Sequence, residues 1–178
     1  MHIVVGLSNP GEEYKETRHN VGRMAERFVS EKIDPSLSRK VKFAFIDSFM
    51  NKSGGAVAKF VKSKKSAQSL VVIHDDIDMP LGRIKIVFNR GSGGHKGVES
   101  IIKALRTGEF IRIKIGVLPT TPTGKPKKPK GEDAVQKFIL SDFKKDEADL
   151  LKKEFKKIKE IIEMIATLGL PAAMNRFN

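Results

Sequence analysis

The residue best placed to move a proton in this sequence is His19, in Tyr14-Lys15-Glu16-Thr17-Arg18-His19-Asn20-Val21-Gly22. Thr17 or Asn20 is a candidate cap for the helical pattern that follows, so His19 falls near a helix start. The positive end of a helix dipole disfavours imidazolium, and a neutral imidazole is what a general base requires. An isolated histidine is more often structural or merely exposed, so spacing alone assigns it no role. A second candidate is Val71-Val72-Ile73-His74-Asp75-Asp76-Ile77-Asp78, where an apolar run delivers three carboxylates. Such a cluster suits a divalent cation, or one acid orienting a histidine. Asp76 and Asp78 are equally explained by a turn before Pro80 and Gly82. In Gly6-Leu7-Ser8-Asn9-Pro10-Gly11 a strand ends in a turn, and Asn9 either faces a site or closes that turn. Finally, Arg90-Gly91-Ser92-Gly93-Gly94-His95-Lys96-Gly97 is a glycine-rich turn before a helix, a weak phosphate-binding signal. Its glycine spacing fits neither a P-loop nor a dinucleotide fingerprint.

These segments must be positioned by regular elements. Ile3 to Leu7 and Leu70 to Ile73 are continuous apolar runs, the pattern of strands buried on both faces. Ile84 to Phe88 and Ile111 to Val117 alternate, with Arg112 and Lys114 opposite the isoleucines, and Phe43 to Ile46 is a candidate fifth strand. Helical stripes are formed by Val21, Met24, Ala25, Phe28 and Val29, and by Val57, Phe60 and Val61. Two more are Val98, Ile101, Ile102 and Leu105, and Leu151, Phe155, Ile158, Ile162 and Ile165 before a Gly169-Leu170-Pro171 stop. Strands alternating with helices predict a single α/β domain over residues 1–178, with a mixed, mostly parallel twisted sheet and helices on both faces.

Composition limits the function classes. With no cysteine, disulfides and thiolate metal sites are excluded. No apolar run approaches the length of a membrane span, and the start lacks signal-peptide character, so a cytoplasmic protein is expected. The excess of 34 basic over 21 acidic residues, net charge +13, points to an anionic partner or to a merely solvated lysine-rich surface. Residues 119–131 hold four prolines, two glycines, four lysines and no acid, and read as a flexible basic loop.

Taken together, the motifs resemble the bacterial peptidyl-tRNA hydrolase family. The match rests on Val5 to Gly11, Tyr14 with Thr17-Arg18-His19-Asn20, Phe49-Met50-Asn51-Lys52-Ser53-Gly54, His74 to Pro80, and Gly93-Gly94-His95-Lys96-Gly97, in the family's order. The resemblance implies a monomer that needs no metal or cofactor and recycles stalled peptidyl-tRNA. It implies that His19 activates water and that Asp75 polarises the imidazole, Ser8 and Ser92 matching no nucleophile position. Asn9 and Asn51 match asparagines that bind the peptide and terminal nucleotide. Tyr14, Met50 and His95 match residues lining the site, and Lys114 matches a basic residue contacting the tRNA 5′-phosphate.

The sequence departs from the family at three places. Lys96 stands where asparagine is usual; lysine has no acceptor, so a water-positioning role passes to oxyanion or phosphate contact. A second phosphate-binding position holds Val87, leaving Lys85 or Arg90 to substitute. The segment from Ser38 to Phe49 is short, which implies a lost hairpin and a smaller sheet. Proteins of this fold also occur as non-catalytic RNA-binding relatives, the alternative function for this chain.

Overall fold

The computed structural model describes residues 1–119 and 128–178. Five strands form one sheet: β1 (His2–Gly6), β2 (Val41–Phe43), β3 (Leu70–Pro80), β4 (Ile84–Phe88) and β5 (Ile111–Leu118), in the order β2-β1-β3-β5-β4. All neighbours are parallel except β4, which runs antiparallel to β5. The mixed, mostly parallel sheet is thus as expected, but two strands differ in extent. The edge strand is Val41–Phe43 and not Phe43 to Ile46, because its partners are His2 to Val4. β3 runs seven residues beyond Ile73, carrying the three aspartates within the strand, with a register shift between Asp76 and Pro80.

Side-chain alternation divides the core into two layers. Val4, Val71, Ile73, Ile113 and Ile115 pack against α1 (Val21–Lys32) and α6 (Lys145–Leu168). Val5, Leu7, Leu70 and Val72 pack against α2 (Ser53–Val57) and α4 (Lys96–Leu105). The helices follow the stripes: Val21, Ala25 and Val29 bury one face of α1, and Leu151, Phe155, Ile158, Ile162 and Ile165 bury one face of α6. Phe60 lies beyond the end of α2 and is exposed. Short α3 (Lys64–Ala67) leads into β3, α5 (Glu132–Ile139) precedes α6, and a further helix, α7 (Leu170–Phe177), follows Gly169. The last residue protects the outer edge of β4: Asn178 donates to the Ile86 carbonyl at 2.9 Å and accepts from its N–H at 2.8 Å, as a neighbouring strand would.

Helix α1 sits against the sheet backbone itself. A Cβ on Gly22 would lie 2.2 Å from the Ile73 carbonyl oxygen, and one on Gly6 would lie 2.3 Å from the Gly22 carbonyl oxygen. Only glycine at both positions permits this approach, which brings the turn before α1 to the end of β3.

Candidate functional site

The turn preceding α1, Arg18–Asn20, is a single 3-10 turn held from several directions. Arg18 is buried, its guanidinium 4.8 Å and 4.9 Å from the ring centres of Phe138 and Phe143. It donates to the Val117 carbonyl at 3.2 Å and to Glu147 at 2.7 Å. The same Glu147 oxygen accepts the Lys144 N–H and caps α6. Asn20 stands at the N-cap of α1, but its side chain makes no cap bond. It brackets the preceding turn instead, accepting from the Asn9 N–H at 2.8 Å and donating to the Asn9 carbonyl at 2.9 Å.

β1 ends at Gly6 opposite Ile73, so Asp75 lies two residues past the last β1 partner. There its Oδ1 meets two imidazoles, His19 Nδ1 at 2.9 Å and His95 Nε2 at 2.8 Å. Burial alone would raise the Asp75 carboxyl, but the two imidazoles overcome it and hold the group well below the usual carboxylate range. A carboxylate only accepts, so both nitrogens facing it carry protons. His19 is thereby left with a lone pair on Nε2, the atom a general base uses. His95 is the N-cap of α4, and its Nδ1 accepts from the N–H groups of Gly97 at 3.2 Å and Val98 at 3.3 Å. Both ends of that ring therefore require the same tautomer, with the proton on Nε2.

His74 completes the cluster. It is buried, donates from Nδ1 to the Asp75 carbonyl at 2.7 Å, and meets the His95 ring edge-on at 4.6 Å. Burial, reinforced by His95, holds it well below the usual histidine range, so it stays neutral.

The ligand atoms of His19, Asp75 and His95 lie within 4.8 Å of one another. A cation bound there would need a lone pair on His95 Nε2. That would move the ring proton to Nδ1, against two backbone N–H donors. As they stand, the three groups form a proton-sharing network in which His95 Nε2 is already engaged as a donor to Asp75.

These groups open onto a cleft of about 1020 Å³. Asn9, His19, Met50, Asn51, Asp75, Lys85, Arg90, His95, Lys96 and Lys114 all line it, whereas Tyr14 does not. Met50 is buried and donates its N–H to Asn9 Oδ1 at 2.8 Å. That bond fixes the Asn9 amide, because the oxygen is taken and the NH₂ is left to donate. Lys114 is not the freely exposed residue its alternation suggests; it is largely buried and paired with Asp76. Asp76 also accepts the Asp78 N–H at 2.7 Å, so the turn-forming role expected for these aspartates is exercised inside the strand. Lys96 is exposed and 3.7 Å from Glu132. Ser8 accepts from Arg23 at 3.4 Å and Ser92 from the Gly94 N–H at 3.3 Å, and neither hydroxyl bonds to His19. Of the expected basic loop, residues 120–127 lie outside the described residues; Lys128, beyond them, pairs with Asp78.

Sequence reasoning missed Arg112, which lines the cleft from the face shared by Lys114 and is only 2% exposed. It stands opposite Val87, and Lys114 stands opposite Lys85. Alternation gave the face correctly, but not that the face is roofed.

A profile of the family described as Peptidyl-tRNA hydrolase matches residues 3–178. The chain belongs to the peptidyl-tRNA hydrolase family. Similar proteins carrying that name include one from Thermodesulfovibrio yellowstonii, 38% identical over 195 residues, with 100% of this chain and 99% of the other covered. Another, from Sulfurihydrogenibium, is 36% identical over 190 residues, covering 98% and 96%. The crystal structure of peptidyl-tRNA hydrolase from Acinetobacter baumannii superposes with a TM-score of 0.84 at 26% identity, over 100% of this chain and 94% of that one. A complex of peptidyl-tRNA hydrolase with N-propanol gives the same TM-score at 27% identity.

Proposed function

We propose that this chain hydrolyses the ester between the peptide and the terminal ribose of peptidyl-tRNA, with water as nucleophile and His19 Nε2 as its base. The carrying observation is His19 Nδ1 held 2.9 Å from a buried carboxylate, with the opposite ring nitrogen unbonded among the described residues. As water attacks, His19 takes its proton and Asp75 stabilises the imidazolium; the proton then passes to the departing ribose oxygen. Negative charge builds on the ester oxygen, and the Asn9 NH₂ is the donor placed to meet it. Asn51 and Met50 flank the bound peptide and terminal nucleotide. An ester with a ribose leaving group needs less assistance than an amide, so one base and one fixed donor suffice.

Affinity in this reading comes from cations on phosphates: Lys85, Arg90 and Lys114 at the cleft, joined by the lysines of the basic segment 119–131, Lys125, Lys127, Lys128 and Lys130. The enzyme acts as a cytoplasmic monomer without metal. No helix among the described residues is long and apolar enough to cross a membrane.

The test is release of peptide from an N-blocked aminoacyl-tRNA. His19→Ala is expected to lower kcat by roughly 10²–10⁴-fold while the melting temperature is retained. Release at the wild-type rate by that variant overturns the mechanism. No release by the wild type, with tRNA still bound, favours the RNA-binding relative.

A further inference from the structure

We infer that His95 is a positioning residue for the base: capped into a single tautomer by helix α4, it takes a share of the Asp75 carboxylate and so sets how strongly that carboxylate acts on His19. This rests on the proposed hydrolysis and goes beyond the site-lining role that resemblance gives His95.

The argument is one of proton bookkeeping around a single oxygen. Asp75 Oδ1 accepts from His95 at 2.8 Å and from His19 at 2.9 Å, so the two donors share one atom. A hydrogen bond weakens when its acceptor already serves another donor, and inside a buried site that competition is not screened by water. The His95 proton cannot leave Nε2 for Nδ1, because Nδ1 faces the Gly97 and Val98 N–H groups. The helix start thus fixes an ordinary histidine as a permanent donor to Asp75. The His95 ring is also packed by its neighbours, its centre 5.0 Å from that of His19 and 4.6 Å from that of His74. Loss of His95 would leave Asp75 with His19 as its one side-chain donor among the described residues, strengthening its hold on the imidazolium. The pH profile of the reaction reports that change at its acid limb.

Other charged groups face the cleft: Asp76 and Asp78 on β3, Lys85 on β4, Arg112 and Lys114 on β5, Lys52 before α2, Arg90 before α4 and Lys96 at its start, and Glu132 on α5. All are common to the wild type and the variants, so a difference between profiles reports His95.

The experiment has two arms, both on the full chain. In the first, ¹⁵N imidazole spectra of the wild type at pH 8 identify the His95 tautomer, assigned by the signal missing from His95→Gln. An Nε2–H form is expected, and an Nδ1–H form overturns the inference. In the second, pH profiles of kcat/KM are measured for wild type, His95→Ala and His95→Gln. For His95→Ala the acid limb is expected to move alkaline by at least half a pH unit, with a fall in kcat. Glutamine, which restores an N–H donor, is expected to bring the limb back. A limb unmoved in His95→Ala, a change confined to KM, or a glutamine variant as shifted as alanine each overturns the inference. Failure of the hydrolysis reading is seen separately, as a wild type that releases no peptide.

Discussion

At the residue scale, what distinguishes the site is that three polar side chains have their donor and acceptor ends assigned by fixed neighbours, a carboxylate in one case and backbone N–H groups in the other two. His19 is oriented by Asp75, His95 by the α4 N-terminus, and Asn9 by Met50. For Asn9 the consequence can be isolated. Asn9→Asp keeps an oxygen to accept the Met50 N–H but has no NH₂ for the ester oxygen. If Asn9 meets the developing charge, kcat falls by about 10²–10³-fold, the usual effect of losing one such donor. Asn9→Ala removes both functions and additionally strands the Met50 N–H, costing on the order of 1–3 kcal/mol of stability. Thermal melting and single-turnover kinetics on the pair separate the two roles. Equal kcat for Asn9→Asp and wild type would exclude the donor role.

At the element scale, α1 carries a second ionisable group that the chemistry does not use. Glu26 is fully buried, its ion-pair partner among the described residues being Arg23 Nη1 at 3.2 Å, with the Gly6 backbone and Arg27 acting on it more weakly. Burial outweighs that cation and pushes the carboxyl from 4.5 up to about 7. The folded state therefore holds this proton where the unfolded chain has released it. Stability from this group is complete below pH 4.5, falls as the pH rises, and is lost above about 7, a difference on the order of 3 kcal/mol. Glu26→Gln is expected to flatten denaturant midpoints between those pH values, and parallel curves for variant and wild type would refute it. Glu26 was invisible in the sequence, because an acid on an amphipathic helix is indistinguishable from a solvated one until its neighbours are known. The same limit explains the rest. β1, α1, α4 and α6 were legible because apolar periodicity is the signal that folds them. The polar half of β3 was not, because Asp76 and Asp78 look like a turn unless one knows that Lys114 on β5 pairs with Asp76. Resemblance brought His19 and Asp75 together; nothing in spacing alone assigned the His95 tautomer or the burial of Arg112.

At the scale of the whole molecule, the charge of +13 is a long-range attraction for a polyanion, but its members differ in what they can contribute. Lys114 is largely buried and already neutralised by Asp76, whereas Lys85 and Arg90 are exposed at the cleft and make no ion pair among the described residues. An exposed cation that meets phosphate releases counterions on binding, and its loss lowers the dependence of affinity on salt by about 0.7–0.9 in log–log slope per contact. Lys85→Ala combined with Arg90→Ala is therefore expected to weaken tRNA binding at low salt and to reduce that slope by roughly 1 to 2, leaving the melting temperature unchanged. Lys114→Ala is expected to act differently, since it leaves Asp76 buried without its partner and so registers in the melting temperature as well. Filter binding across a salt series, beside thermal melts, distinguishes them. If the double variant keeps the wild-type slope, the phosphates are bound elsewhere, and the net charge acts on the encounter and not through this cleft.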